Sequence, residues 1–121
     1  MIALVVDDSM ALRLVHKRML EAAGWEVRTA KDGEDAITQL DAMPLCHLVM
    51  TDWHMPVMDG IELVKRIRQH PRYASVPVLM VTSEAGLSAI QEAIAAGATE
   101  VLMKPYTAEA LVERVEEVTH A

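Results

Sequence analysis

Asp52 ends the run His47-Leu-Val-Met-Thr51 and opens the loop Trp53-His-Met-Pro-Val-Met-Asp-Gly60, so a lone carboxylate stands at the tip of a predicted strand. Asp7 and Asp8 follow the apolar run Ile2-Ala-Leu-Val-Val6, Lys104 follows Val101-Leu-Met103, and Thr82 closes Pro77–Thr82. In an open parallel sheet the ends of successive strands lie side by side, so these residues converge although they are far apart in sequence. An acid after a strand is ordinarily only a solvated loop residue. What points to chemistry is the joint placement of three acids, a hydroxyl and an amine at four strand ends.

Two carboxylates about 4 Å apart repel by about 4 kcal/mol at an effective dielectric of 20, so converging acids call for a cation. Mg²⁺ suits oxygen ligands, is commonly held by one or two carboxylates and leaves room for a phosphate oxygen. A carboxylate beside such an ion can act as a nucleophile toward phosphorus. Lys104 would place a positive charge on the phosphoryl oxygens, and the Thr82 hydroxyl would donate a hydrogen bond to them. The set fits phosphoryl transfer.

The elements that must position these residues follow from the pattern of the chain. Its 121 residues are 52% hydrophobic, suited to one domain with one core. Only 3% are aromatic and nine are Met, so the core is aliphatic. Short aliphatic runs alternate with helical periodicity, which predicts an α/β fold, a doubly wound five-stranded parallel sheet with helices on both faces. The expected strands are Ile2–Val6, Trp25–Ala30, His47–Thr51, Pro77–Thr82 and Val101–Met103. The expected helices are Ser9–Ala23, with Leu12, Val15, Met19 and Leu20 at helical spacing, then Glu34–Leu40, Ile61–Gln69, Ser88–Ala96 and Ala108–Val118. Gly24 and Gly97 are stop signals. No linker composition suggests a second domain, so residues 1–121 are read as one domain.

No apolar stretch approaches the roughly 18 residues of a membrane span, and the first apolar run is cut at Asp7, too early for a secretory signal; a cytoplasmic protein is expected. The single cysteine, Cys46, excludes an internal disulfide and a multi-thiolate metal site. A net charge of −7 argues against nucleic-acid binding by this domain alone. Histidines 16, 47, 70 and 120 form no metal-ligand spacing and are read as surface or strand-end residues. Met50, Met55, Met58, Met80 and Met103 are expected in the core, and Glu113, Glu116 and Glu117 on a solvated face.

The pieces Val5-Val-Asp-Asp-Ser9, Asp52 to Gly60, Val81-Thr-Ser-Glu-Ala85 and Met103-Lys-Pro-Tyr106 resemble the receiver domain of bacterial two-component response regulators, over the whole chain and in a pattern that closely follows the single-domain CheY-like type. The resemblance implies a flavodoxin-like fold in which Asp52 accepts a phosphoryl group from a sensor histidine kinase or phosphotransfer protein and thereby switches binding of a downstream protein. It implies Mg²⁺ held by Asp8, Asp52 and the backbone carbonyl of His54, with Asp7 acting through water. Thr82 would be the switch hydroxyl and Lys104 the phosphate-binding lysine, preceding a cis bond to Pro105. The domain would be a monomer when unphosphorylated and would catalyse only its own phosphorylation and dephosphorylation.

The chain departs from the family pattern in two places. Where relatives carry Tyr or Phe three residues before the lysine, this chain has Val101; a β-branched side chain cannot swing as a ring does, so the signal is expected to leave through Thr82 and the loop into the fourth helix. His54 stands two residues after the acceptor and Glu84 two after Thr82, flanking the path of the water that would hydrolyse the phosphoryl group. Three readings follow: a phosphorylation-controlled switch, either alone or as the receiver fragment of a larger regulator, a degenerate receiver that binds a protein without phosphorylation, and a Mg²⁺-dependent phosphatase acting on an external substrate. A phosphatase would place an acid where His54 stands.

Overall fold

The computed structural model describes residues 1–84 and 86–120; Ala85, the last residue of the Val81–Ala85 motif, lies outside them. Five strands, β1 (Ile2–Val6), β2 (Glu26–Ala30), β3 (Leu48–Asp52), β4 (Val78–Thr82) and β5 (Glu100–Met103), form one parallel sheet in the order β2-β1-β3-β4-β5. Helices α1 (Met10–Ala22), α2 (Gly33–Ala42), α3 (Gly60–Arg68), α4 (Leu87–Ala96) and α5 (Ala108–Thr119) alternate with them. The doubly wound α/β sheet expected from the sequence is the one observed. All five residues of β4 are buried, as a run covered on both faces requires, whereas edge strand β2 alternates with exposed Glu26 and Arg28.

The sheet separates two apolar layers. Leu4, Val6, Val49, Met80 and Val101 point toward the α2, α3 and α4 side, with Leu40, Leu63, Val64 and Ile67. Ala3, Val5, Met50, Leu79, Val81 and Leu102 point the other way, with Leu20, Leu111 and Val115 of α1 and α5. Ser9, Asp32, Asp59 and Thr107 cap α1, α2, α3 and α5, each side chain accepting from the backbone N–H three residues on. Gly24, at φ +96°, ends α1 in a Schellman turn: its N–H bonds Glu21 O and the Trp25 N–H bonds Leu20 O. Trp25 therefore belongs to the turn, and β2 begins at Glu26.

Where the helices turn their faces is less regular than their periodicity suggests. Leu12 and Val15, expected inside, are 36% and 43% exposed, while His16 and Leu20 are buried. The inward stripe of α1 carries polar side chains whose hydrogen bonds are made inside, which periodicity of apolar residues cannot register. His70 is buried as well, its Nε2 2.8 Å from Asp41 Oδ1 and its Nδ1 accepting from Arg72 N, so two of the four histidines are not the surface residues expected. Met50, Met58 and Met80 lie in the core, but Met103 ends edge strand β5 exposed.

At the amino ends of the strands Arg68 ties three segments together. Its Nε donates to Gly97 O (2.9 Å) and its Nη1 to Val76 O (2.6 Å) and Ala74 O (3.2 Å). Thr99 Oγ1 accepts from Val78 N, and Thr99 N donates to Val78 O. Nearby, Arg72 Nη1 donates to Met43 O at 2.7 Å.

Candidate functional site

Parallel pairing carries the β1, β3, β4 and β5 ends to one edge of the sheet. Val6 pairs with Thr51, Asp52 with Val81 and Thr82 with Met103, so Asp7, Asp52, Thr82 and Lys104 emerge side by side. One carboxylate oxygen from each of Asp7, Asp8 and Asp52 lies within 4.8 Å of the others. Asp7 is buried, Asp52 half-buried and Asp8 exposed, so the cluster opens to solvent on the Asp8 side. Lys104 Nζ stands 3.4 Å from Asp52 Oδ2.

Local structure fixes each group. Asp7 Oδ1 accepts from Ser9 N at 2.9 Å, and Arg13 Nη1 donates to the Asp7 carbonyl at 2.7 Å, so the first turns of α1 hold the acid from two sides. Asp52 Oδ1 accepts from Trp53 N at 2.7 Å, which leaves Oδ2 directed at Lys104. Thr82 is buried, its Oγ1 accepting from Glu84 N, and its carbonyl accepts from Lys104 N at 2.8 Å. The Lys104–Pro105 bond is cis.

The loop after Asp52 is drawn tightly back. Gly60 N donates to Trp53 O at 2.7 Å, and a Cβ at Gly60 would fall 2.3 Å from Asp52 O, so only glycine permits this return. Val57, between Pro56 and Met58, has φ +72°, a region that a β-branched residue occupies only under strain. The His54 side chain turns outward, its Nε2 2.7 Å from Glu84 Oε1. The two residues expected to flank the path of water thus bridge the β3 and β4 loops.

Electrostatics agree with a site built for a cation. Burial pushes the Asp7 carboxyl above its ordinary pKa, against the lowering bond from Ser9; the charges of Asp52 and Asp8 push the same way and Lys104 opposes them. Such repulsion is relieved by a hard ion on the oxygens, and the donor set is all oxygen.

Residues 3–116 match the family model of the response regulator receiver domain. The chain belongs to the response regulator receiver family. This receiver domain is 39% identical over 116 residues to chemotaxis protein CheY1 of Helicobacter pylori, covering 95% of the chain and 94% of that protein. It is 38% identical to a CheY homologue of Campylobacter jejuni, covering 89% of it. Its fold superposes on Vibrio cholerae CheY4 with a TM-score of 0.91 at 38% identity over 97% of both chains. The receiver domain of Francisella response regulator 1452 gives 0.89 at 26% identity over 98% of this chain and 96% of that one. No helix among the described residues is long and apolar enough to cross a membrane.

Asp7, Asp8, Asp52, Thr82 and Lys104, chosen from sequence, are gathered at one edge, and His54 adjoins them on the loop. Three neighbours were not legible: Arg13 on the Asp7 carbonyl, and buried His16 with half-buried Tyr106, whose side chains hydrogen-bond beside the site. The only sequence signals for these were the four-residue step from Ser9 to Arg13 and a histidine on a helix face that should be apolar.

Proposed function

We propose that this receiver domain is a phosphorylation-controlled switch: Asp52 takes a phosphoryl group from a sensor histidine kinase or phosphotransfer protein, and the phosphorylated form changes its binding to a downstream protein. The observation that carries the reading is the convergence of Asp7, Asp8 and Asp52 within 4.8 Å, with Lys104 3.4 Å from Asp52 Oδ2. An Asp52 carboxylate oxygen attacks phosphorus, the bond from phosphorus to the donor histidine nitrogen breaks, and its electron pair stays on the imidazole. Asp8, Asp52 and the His54 carbonyl would hold Mg²⁺, with Asp7 acting through water; when bound, the ion neutralises charge on the phosphoryl oxygens. Lys104 exchanges its contact with the Asp52 carboxylate for one with a phosphoryl oxygen, and Thr82 turns its hydroxyl to another. The His54–Glu84 bridge covers the approach of water and sets how long the phosphoryl group survives.

Similarity to chemotaxis proteins supports an output made by docking to a protein target. Incubation with acetyl phosphate and Mg²⁺, followed by intact mass measurement, tests the proposal. One phosphoryl group should add to the wild type and none to Asp52→Asn; labelling of that variant at wild-type stoichiometry would assign the acceptor elsewhere. An unlabelled wild type that still binds its target would favour the phosphorylation-independent module.

A further inference from the structure

The loop that carries Lys104 has few anchors of its own. Met103 and Pro105 on either side of the lysine are exposed, and the ammonium stands on a flexible four-carbon stem. On the β4 side the loop is pinned by Lys104 N on Thr82 O. On the other side it is pinned two residues later, where the half-buried Tyr106 hydroxyl meets Nε2 of buried His16 in the middle of α1. The rings stack with centroids 5.9 Å apart and planes 22° apart, and Tyr106 packs on the layer formed by Leu20, Leu102 and Leu111.

Both partners sit in the field of the site. Burial, and next the charges of Asp7 and Asp52, push the Tyr106 phenol up to about 12, so it keeps its proton. Burial, and next the Lys104 charge, lower His16 against the opposing effect of Asp52, so the imidazole is neutral. The phenol therefore donates and His16 Nε2 accepts. Helix α1 also holds the opposite wall of the site through Ser9 N and Arg13 Nη1 on Asp7. One rigid element thus fixes the acid side and the lysine side together.

We propose that His16 and Tyr106 form a positioning pair that holds the Lys104 loop in register with Asp7 and Asp52, so that the ammonium meets the transferring phosphoryl group. This rests on the phosphoacceptor reading of Asp52. Neither side chain touches the reacting atoms; each acts through the backbone from which Lys104 springs. Because misplacing a catalytic group by about 1 Å can cost on the order of a hundredfold in rate, release of this tether should be felt strongly in transfer. It should be felt little by the cation, whose ligands are on other strands.

Tyr106→Phe keeps the ring and removes only the hydroxyl. Phosphorylation by acetyl phosphate should slow about tenfold and beryllofluoride affinity should fall by a similar factor, on the order of 1.4 kcal/mol, while Mg²⁺ affinity stays within about twofold. His16→Leu should match it, the double variant should be no worse than either single, and His16→Gln, which restores an acceptor for the phenol, should recover most of the rate. The glutamine and leucine variants carry the test by themselves if Tyr106→Phe does not fold. Wild-type rates in all variants, or parallel loss of Mg²⁺ and beryllofluoride binding, would overturn the positioning role and leave Asp52 as acceptor. A wild type that takes no phosphoryl group on Asp52 would overturn both.

Discussion

Replacing Asp7 by Asn should stabilise the cation-free protein at neutral pH, although Asp7 belongs to the proposed cation site. At 4.8 Å, two carboxylates repel by about 3.5 kcal/mol at an effective dielectric of 20 and about 0.9 kcal/mol in water. The pair with half-buried Asp52 lies toward the first figure, and that with exposed Asp8 toward the second. Attraction to Lys104 is lost in the exchange, while Asn Oδ1 still accepts from Ser9 N. A net gain of about 2 kcal/mol is expected, roughly 6–12 °C in Tm for a domain of this size. The pH dependence has a definite sign. The folded-state pKa of Asp7 is raised, so the native state holds this proton longer than the unfolded chain. Stability is then full below the ordinary carboxylate pKa of about 3.9 and is lost as pH rises through the folded value. The advantage of Asp7→Asn should accordingly be large at pH 7 and small near pH 4. Thermal melts in EDTA and in Mg²⁺ at both pH values measure it, and saturating Mg²⁺ should narrow the gap by stabilising the wild type more. A variant less stable than wild type in EDTA at pH 7, or an advantage unchanged at pH 4, would refute the reasoning.

Mg²⁺ should change the emission of Trp53, which follows Asp52 and stacks on His54, and leave buried Trp25 in the α1–β2 turn silent; a Trp53→Phe variant that keeps the full response would refute this. Val57→Gly should raise stability by about 1 kcal/mol in chemical denaturation, since relief of a positive-φ β-branched residue outweighs the added freedom of the unfolded chain. Val101 is buried among the α4-side apolar residues and is too short to swing, so amide NMR with beryllofluoride should show large shifts at 83–84 and 86–90 and small ones at 101; strong Thr82-dependent shifts at 101 and throughout α5 would show coupling through Val101.

The sheet and the acid cluster were legible because both are written in short-range patterns: four of the strands are apolar runs, and each candidate site residue stands at a run's end or within three residues of it. Element ends were displaced by a residue or so where a turn claimed the terminal residue, as at Trp25, or where the chain paired later than its composition suggested, as at His47 and Pro77. The buried face of α1 was misread because its inward positions include Arg13 and His16. Apolar periodicity assumes that inward residues lack polar atoms, whereas here they satisfy bonds to Asp7 and Tyr106. His70 escaped for the same reason, its bond to Asp41 spanning α2 and the end of α3. The Gly60 requirement, by contrast, was visible as a glycine but not as a steric necessity, which only the return of the backbone onto Asp52 reveals.

Arg68 gives the sheet two mechanically unlike ends. At one, a single guanidinium clamps the carbonyls of Ala74, Val76 and Gly97, so the chain before β4 and the chain after α4 are held as one abutment. At the other, a 3.4 Å contact between Lys104 and Asp52 is what a change of charge would rearrange. A perturbation applied there meets a stiff foundation below and loops beside it, so displacement is channelled sideways, into the segments that lead to α4 and α5, instead of being spread through the strands.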